Sequence, residues 1–134
     1  MYMHSHTLYW VYRPFGCGVI VAYMDKEKKT STLHMMDPSG TCYEFYYCAL
    51  GKGKQIAKSE LEKVDYKSMT CKEALYYVAK TLHKSHEEMK EKKFELEMTW
   101  VCPESGYIHQ HVPRDLVKEA DVKAQKDIER EQLG

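Results

Sequence analysis

Met36-Asp37-Pro38-Ser39-Gly40-Thr41-Cys42-Tyr43-Glu44-Phe45-Tyr46-Tyr47-Cys48-Ala49-Leu50-Gly51-Lys52-Gly53-Lys54 reads MDPSGTCYEFYYCALGKGK and runs from a tight turn through an aromatic stretch into a glycine-lysine loop. Asp37, Pro38 and Gly40 occupy the first, second and fourth positions of a type I turn, each where its backbone preference belongs. Thr41 to Cys48 therefore reads as a strand leaving that turn. Upstream, Cys17 to Met24 is short and β-branched, and Thr32 to Met36 follows the charged loop Asp25-Lys26-Glu27-Lys28-Lys29, which gives a hairpin with a solvated tip. Residues 17–48 thus form a three-strand meander.

On either side of the meander the period changes. Residues 1–12 read as the last turns of a helix, broken at Arg13-Pro14-Phe15-Gly16, where proline and glycine end helical backbone. Past Gly53 the apolar positions Ile56, Ala57, Leu61 and Val64 follow helical spacing. Thr70-Cys71-Lys72-Glu73 has the spacing of a capping box, so a second helix starts at Cys71, with Ala74, Leu75, Val78, Ala79 and Leu82 facing a core. Two helices are expected across 53–90. Phe94, Leu96, Met98 and Trp100 alternate with Glu95, Glu97 and Thr99, as in a strand with one buried face. Glu104-Ser105-Gly106 turns it back into Tyr107 to Val112, a strand pair over 94–112. Pro113 suits the first helical position, and Leu116, Val117, Ala120, Ala124 and Ile128 trace a final helix over 113–132. This order of elements predicts an α+β fold, with antiparallel sheet layered against helices in a single domain, 1–134.

The chain has 134 residues, with 20 Lys plus Arg balancing 20 Asp plus Glu. No overall field draws it to nucleic acid or to an anionic membrane. The longest apolar run, Val19 to Met24, is far short of the roughly 20 residues that span a bilayer, and Met1 to His6 lacks the basic and apolar regions of a signal peptide. The expected location is the cytoplasm and nucleus. Cys17, Cys42, Cys48, Cys71 and Cys102 form no CxxC pair, so they are expected to be reduced and mostly buried thiols rather than a disulfide framework.

Arg13-Pro14-Phe15-Gly16, Asp37-Pro38-Ser39-Gly40, Cys48-Ala49-Leu50-Gly51-Lys52, Ala57-Lys58-Ser59-Glu60-Leu61-Glu62-Lys63 and Phe94-Glu95-Leu96-Glu97 together resemble the proteasome alpha-type subunits. The resemblance covers nearly all of residues 1–101. It implies part of an α-β-β-α sandwich of the N-terminal-nucleophile-hydrolase class, in the outer heptameric ring of the 20S core particle. Family members are longer, so the resemblance implies their C-terminal half only, without the first four strands, the gating tail and the ring-packing first helix. The lysine that lines their activator-docking pockets belongs to that other half, and no docking residue is assigned here. Active members of the family use an N-terminal threonine, whereas this chain starts Met1-Tyr2. The implied function is a noncatalytic structural subunit, or a short form of one, acting in ubiquitin-dependent protein degradation with other alpha and beta subunits as partners.

Several motifs invite a chemistry of their own. Gly51-Lys52-Gly53-Lys54 lies between strand and helix, as a phosphate cradle would. It lacks the P-loop spacing, and Ile56 stands where the dinucleotide fingerprint needs its third glycine, so it reads as a hinge. His109 and His111 share a strand face, and His4 with His6 and His83 with His86 form further pairs, but no third ligand completes a zinc spacing. Of the five cysteines Cys17 is the least implausible nucleophile, yet it opens an apolar strand with only Arg13 nearby. Tyr43, Phe45, Tyr46 and Tyr47 lack the glycine-aromatic signature of an RNA-binding sheet and read as packing and interface residues. The expectation is no enzyme, no catalytic, cofactor or metal residue, and no nucleic-acid or membrane partner. The alternatives are an independent interaction module or, less favoured by these residues, a cysteine or metal hydrolase.

Overall fold

A computed structural model describes residues 2–9, 11–89 and 94–134, the side chains of Glu88 and Met89 excepted. Residues 1, 10 and 90, which fall within the expected helix spans, lie outside the described residues. In chain order the elements are α1 (Tyr2–Leu8), β1 (Val19–Asp25), β2 (Thr30–Met36), β3 (Cys42–Phe45), α2 (Lys54–Leu61), α3 (Cys71–Met89), β4 (Thr99–Trp100), a 3-10 turn (Pro103–Ser105), β5 (Gln110–His111) and α4 (Arg114–Leu133). The backbone divides into two compact units, Met1–Cys48 and Ala49–Gly134.

The first unit is the meander with α1. Its sheet has the order β1-β2-β3, and both pairings are antiparallel. Asp25 shapes the hairpin tip by accepting bonds from the N–H groups of Glu27 and Lys28 at 2.9 and 3.0 Å. The register fixes the faces, because residues paired across an antiparallel ladder point to the same side. Ile20, Met35 and Tyr43 form one row and Ala22, Leu33 and Phe45 the next, while Val21, His34 and Glu44 lie on the opposite face. The third strand ends at Phe45, three residues before the expected limit.

At the second turn, Asp37 does what its position demands. Its Oδ1 accepts the N–H of Ser39 at 2.9 Å and that of Thr41 at 3.2 Å, and the hydroxyl of Ser39 bonds it as well. These bonds, the Ser39 hydroxyl foremost, hold the Asp37 carboxyl below its ordinary pKa. Gly40 closes the turn at φ +84°, and a Cβ there would sit 2.5 Å from the backbone nitrogen of His4. Glycine is needed twice over, for the left-handed backbone and for the approach of α1.

The second unit is built by three helices and a short hairpin. Thr70 and Glu73 form the expected capping box: the Glu73 N–H donates to Thr70 Oγ1 at 3.3 Å and the Thr70 N–H to Glu73 Oε2 at 2.8 Å. Helix α3 accordingly begins at Cys71. Its Leu75 and Ala79 pack with Met98, Val112, Ala120 and Ala124 into one core, flanked by Tyr76, Leu96, Trp100, Leu116 and Val117. Val78 and Leu82, expected in that core, are exposed, whereas Thr81 and Ser85 are buried. The reason is that α3 packs against both α2 and α4, which rotates its covered surface toward the polar pair. Ser85 satisfies its hydroxyl by donating to the carbonyl of Gly53 at 3.2 Å.

Further boundaries differ from the sequence reading. The expected strand over 94–101 forms a ladder only at Thr99 and Trp100, opposite His111 and Gln110. Its alternation is nevertheless real: Leu96, Met98 and Trp100 are covered while Glu95, Glu97 and Thr99 are exposed. Side-chain alternation requires only extended backbone, whereas a ladder requires a partner. Pro113 stands one position earlier than expected, as the N-cap of α4 with ψ 136°, and Arg114 is the first helical residue.

Candidate functional site

The glycine-lysine loop turns out to be closed on itself. Gly51 adopts φ +110°, and the Lys54 N–H is spent on the carbonyl of Gly51 at 3.3 Å. Gly53 caps α2 at φ −89° and ψ 18°, and its carbonyl accepts both the Ala57 N–H at 3.1 Å and the Ser85 hydroxyl. This is a strand-to-helix joint anchored to α3. Only Gly51 requires glycine, because φ −89° is open to any L-residue, and a Cβ at Gly51 would meet nothing within 4 Å.

The histidines divide among separate tasks. His4 Nδ1 lies 3.4 Å from the Ser39 carbonyl, at the contact between α1 and the turn. His6 bonds the Tyr2 carbonyl at 3.0 Å and stacks beside Tyr2, Tyr12 and Phe15. His83 Nε2 meets Asp121 Oδ1 at 2.5 Å, joining α3 to α4, and Phe94 packs against the rings of both His83 and His86. His109 bonds the Thr99 hydroxyl at 3.0 Å, and His111 is the cross-strand partner of Thr99, so these two do share one side. Among the described residues no group of three or more His, Cys, Asp or Glu is arranged to hold a metal ion.

Burial of the cysteines corrects the sequence reading. Only Cys102 is buried. Cys17 and Cys42 are exposed, and Cys48 and Cys71 are intermediate; all five are free thiols. The exposed pair lies in the first unit, where none of the described residues is buried. Tyr43 and Tyr46 are likewise exposed, at 61% and 83%.

One polar junction gave no signal in the sequence. Lys84 on α3 reaches Glu60 on α2 at 3.1 Å and Glu131 on α4 at 2.9 Å, and Lys80 meets Glu131 at 2.5 Å. The bonds to Lys80 and Lys84 hold the Glu131 carboxyl down at about 2, and the bond to Glu131 foremost raises Lys84. Nearby, the Tyr76 hydroxyl donates to Asp127 Oδ2 at 2.6 Å, and Lys123 lies 4.6 Å over the Tyr76 ring. Burial first, then the Asp127 bond, raises the Tyr76 phenol. The partners lie 24 to 51 residues apart in the chain, beyond the reach of any local spacing rule. Lys80 and Lys84 each face a carboxylate, so the cluster fastens helices.

What is left open is apolar surface. On the first unit Val19, Ile20, Val21 and Tyr23 are all exposed along β1, so both faces of that strand present apolar groups to solvent. On the second, Tyr77, Val78 and Leu82 line one side of α3, and an open groove of about 960 Å³ runs beside Phe94, Leu96, Val117 and Asp121. A strand that carries apolar residues on both faces belongs to a sheet covered on both. Geometry of this kind defines a packing surface. No helix among the described residues is long and apolar enough to cross a membrane.

Comparison with known proteins gives this surface a context. The family model for the proteasome subunit matches residues 1–101, and the chain belongs to that family. Over 128 residues it is 50% identical to proteasome subunit alpha type-3 of Arabidopsis thaliana, covering 96% of this chain and 51% of the relative. The corresponding protein of Oryza sativa subsp. japonica is 48% identical, and that of Dictyostelium discoideum 42%, over the same shares. The chain thus spans about half the length of the curated relatives it matches. Its mixed helices and strands accord with an α+β fold of the proteasome type.

Proposed function

We propose that this chain is a noncatalytic structural part of an alpha-type subunit of the 20S core particle, working in ubiquitin-dependent protein degradation through contacts with other alpha and beta subunits. The observation that carries the proposal is β1, with Val19, Val21 and Tyr23 exposed on one face and Ile20 on the other. Such a strand is suited to the interior of a layered sandwich, between helices and a second sheet, which supports an α-β-β-α arrangement completed by sequence outside this chain. The two compact units then belong to one domain of that subunit. Its place of work is the cytoplasm and nucleus. Noncatalytic status is supported by the relatives' alpha-type names.

The test is to express residues 1–134 with an affinity tag in eukaryotic cells and to fractionate the extract by sedimentation. Co-migration of the tag with core-particle peptidase activity is expected, and the purified free chain should cleave no fluorogenic peptide. Migration of the tag only as a small free protein would favour the independent interaction module. Cleavage by the free chain that vanishes in Cys17→Ala would instead establish a cysteine hydrolase.

A further inference from the structure

The sheet of the first unit ends on two unlike edges. Its order β1-β2-β3 leaves β1 and β3 each with one side unpaired among the described residues. Alternate residues of such a strand turn their N–H and C=O groups outward, a row that another strand can take up. Folded chains guard that row with a short strand, a charge, a proline or a bulge. β3 is guarded in two of these ways, since it has four residues and carries Glu44. β1 has none of them. It runs seven residues in unbroken register with β2, and Val19 to Met24 contains no charge, proline or glycine. Val19, Ile20, Val21 and Tyr23 are exposed along it, and so is Ala22 at its centre.

We propose that the free edge of β1 pairs antiparallel with β1 of a second copy of this chain, about a two-fold axis through Ala22, joining two three-stranded sheets into one. The backbone row selects a strand as the occupant, because only extended chain matches its spacing of donors and acceptors. Charge selects the direction. β1 runs into the tip Asp25-Lys26-Glu27-Lys28-Lys29, so parallel pairing of two copies lays identical charges side by side, whereas antiparallel pairing sends the two tips to opposite ends. The side chains then match in the register centred on Ala22. Val21 faces Tyr23 of the second copy and Ile20 faces its Met24, each pair occurring twice by symmetry, and a β-branched residue opposite an aromatic one is a favourable cross-strand pair. Asp25 falls at the end of the ladder, beside Val19, with no like charge opposite.

The axis stands normal to the sheet, so the row of Ile20, Met35 and Tyr43 lies on the same side in both copies. An edge occupied in this way is closed to any other strand. Self-pairing and completion of the layered sandwich therefore exclude one another, and the dimer belongs to the free chain, where dilution reverses it. The inference does not rest on entry into the core particle.

Sedimentation equilibrium of the purified 134-residue chain, from about 1 μM to about 200 μM, tests this in the range where a micromolar dimer populates. The mass should rise from 15.8 kDa to twice that value and stop there. Ala22→Lys and Ala22→Glu each put like charges opposite one another on the axis, and each alone should raise the dissociation constant about fivefold or more. Their equimolar mixture should restore the dimer, which a general loss of folding would not allow. Glu44→Lys, on the other edge, should leave it unchanged. In wild-type protein, amide exchange along β1 should slow as concentration rises while exchange along β3 stays the same, a readout that needs no variant. A chain that stays monomeric throughout, or a dimer indifferent to both changes at Ala22, would overturn the proposal. So would growth beyond the dimer, which marks stacking of the apolar faces. Co-migration with the core particle in extract is read separately, so failure of the proposed function and failure of the dimer are distinguishable.

Discussion

The first unit of this chain is richer in apolar side chains per length than the second, and the two use them in opposite ways. In Ala49–Gly134, Leu75, Ala79, Met98, Val112, Ala120 and Ala124 converge, and Ala79 and Ala124 lose all contact with solvent. In Met1–Cys48 no described residue is buried, although β1 is almost entirely apolar. The difference is geometric. Helices α3 and α4 pack an apolar stripe of each directly against the other. A three-stranded sheet has two faces and can cover neither alone. The hydrogen-bonded register of β1, β2 and β3 is complete while its side chains remain uncovered. Backbone pairing and core formation are thus separable, and the sheet holds its shape for surfaces that something else must supply.

The largest effect that probes this contrast is truncation at matched isoleucines. Ile128 is 4% exposed and Ile20 is 42% exposed. Ile128→Ala should cost about 3 kcal/mol, lost transfer energy plus a cavity, whereas Ile20→Ala in the free chain should cost under about 1 kcal/mol. Chemical denaturation of both variants measures this. Equal losses would mean that the sheet buries Ile20 in solution and that the contrast between the units is absent there.

Glycine substitutions sharpen the comparison at a smaller scale. Gly40→Ala meets both a positive φ and the His4 backbone at 2.5 Å, so a loss of about 1–3 kcal/mol is expected. Gly51→Ala keeps the strain without the clash and should cost about 1 kcal/mol. Gly53→Ala, at an ordinary φ but at an N-cap where glycine is preferred to alanine, should cost about 0.5 kcal/mol. Melting of the three variants in parallel reads the order directly. A Gly53→Ala loss as large as that of Gly40→Ala would contradict the account of the loop as a simple joint.

The smallest effect is electrostatic and belongs to the second unit alone. The folded-state pKa of Glu131 lies near 2, below its ordinary 4.5, so its contribution is full above about pH 4.5 and is lost as pH falls toward 2. Glu131→Gln should therefore flatten the acid limb of stability between those values and cost less than about 1 kcal/mol at pH 7, since the side chain is half exposed. Urea denaturation across pH 2 to 7 tests this. An unchanged acid limb would show that Lys80 and Lys84 do not hold the carboxylate in solution.

How much the sequence disclosed depended on the range of the interaction. The Asp37 turn and the Thr70 capping box were legible, because each is a bond between residues a few positions apart. The buried alternation of Leu96, Met98 and Trp100 was legible for the same reason, while the shortness of the β4 ladder was not, since it depends on Gln110 and His111. The exposure of Val78 and Leu82 could not be read from helical period alone. It follows from α2 and α4 both claiming α3, a fact of tertiary arrangement. Lys84 with Glu60 and Glu131 was beyond reach altogether, since the partners stand far apart in the chain and belong to no recurrent spacing. At the candidate site, the hinge character of Gly51 was legible from spacing. The open thiols Cys17 and Cys42 were not, because thiol burial depends on which face is covered.

The approach of His4 to Gly40 also orders events in time. The β1–β2 hairpin closes around the four-residue turn 26–29, and the Asp37 turn closes within itself, so both form by local search. His4 meets Ser39 across a separation of 35 residues, and that contact gains nothing until the turn has presented its carbonyl. Loop-closure entropy must be met before the contact repays it. Helix α1 is therefore the late arrival in its unit: during refolding, a probe at His4 should acquire its native signal after one on the hairpin.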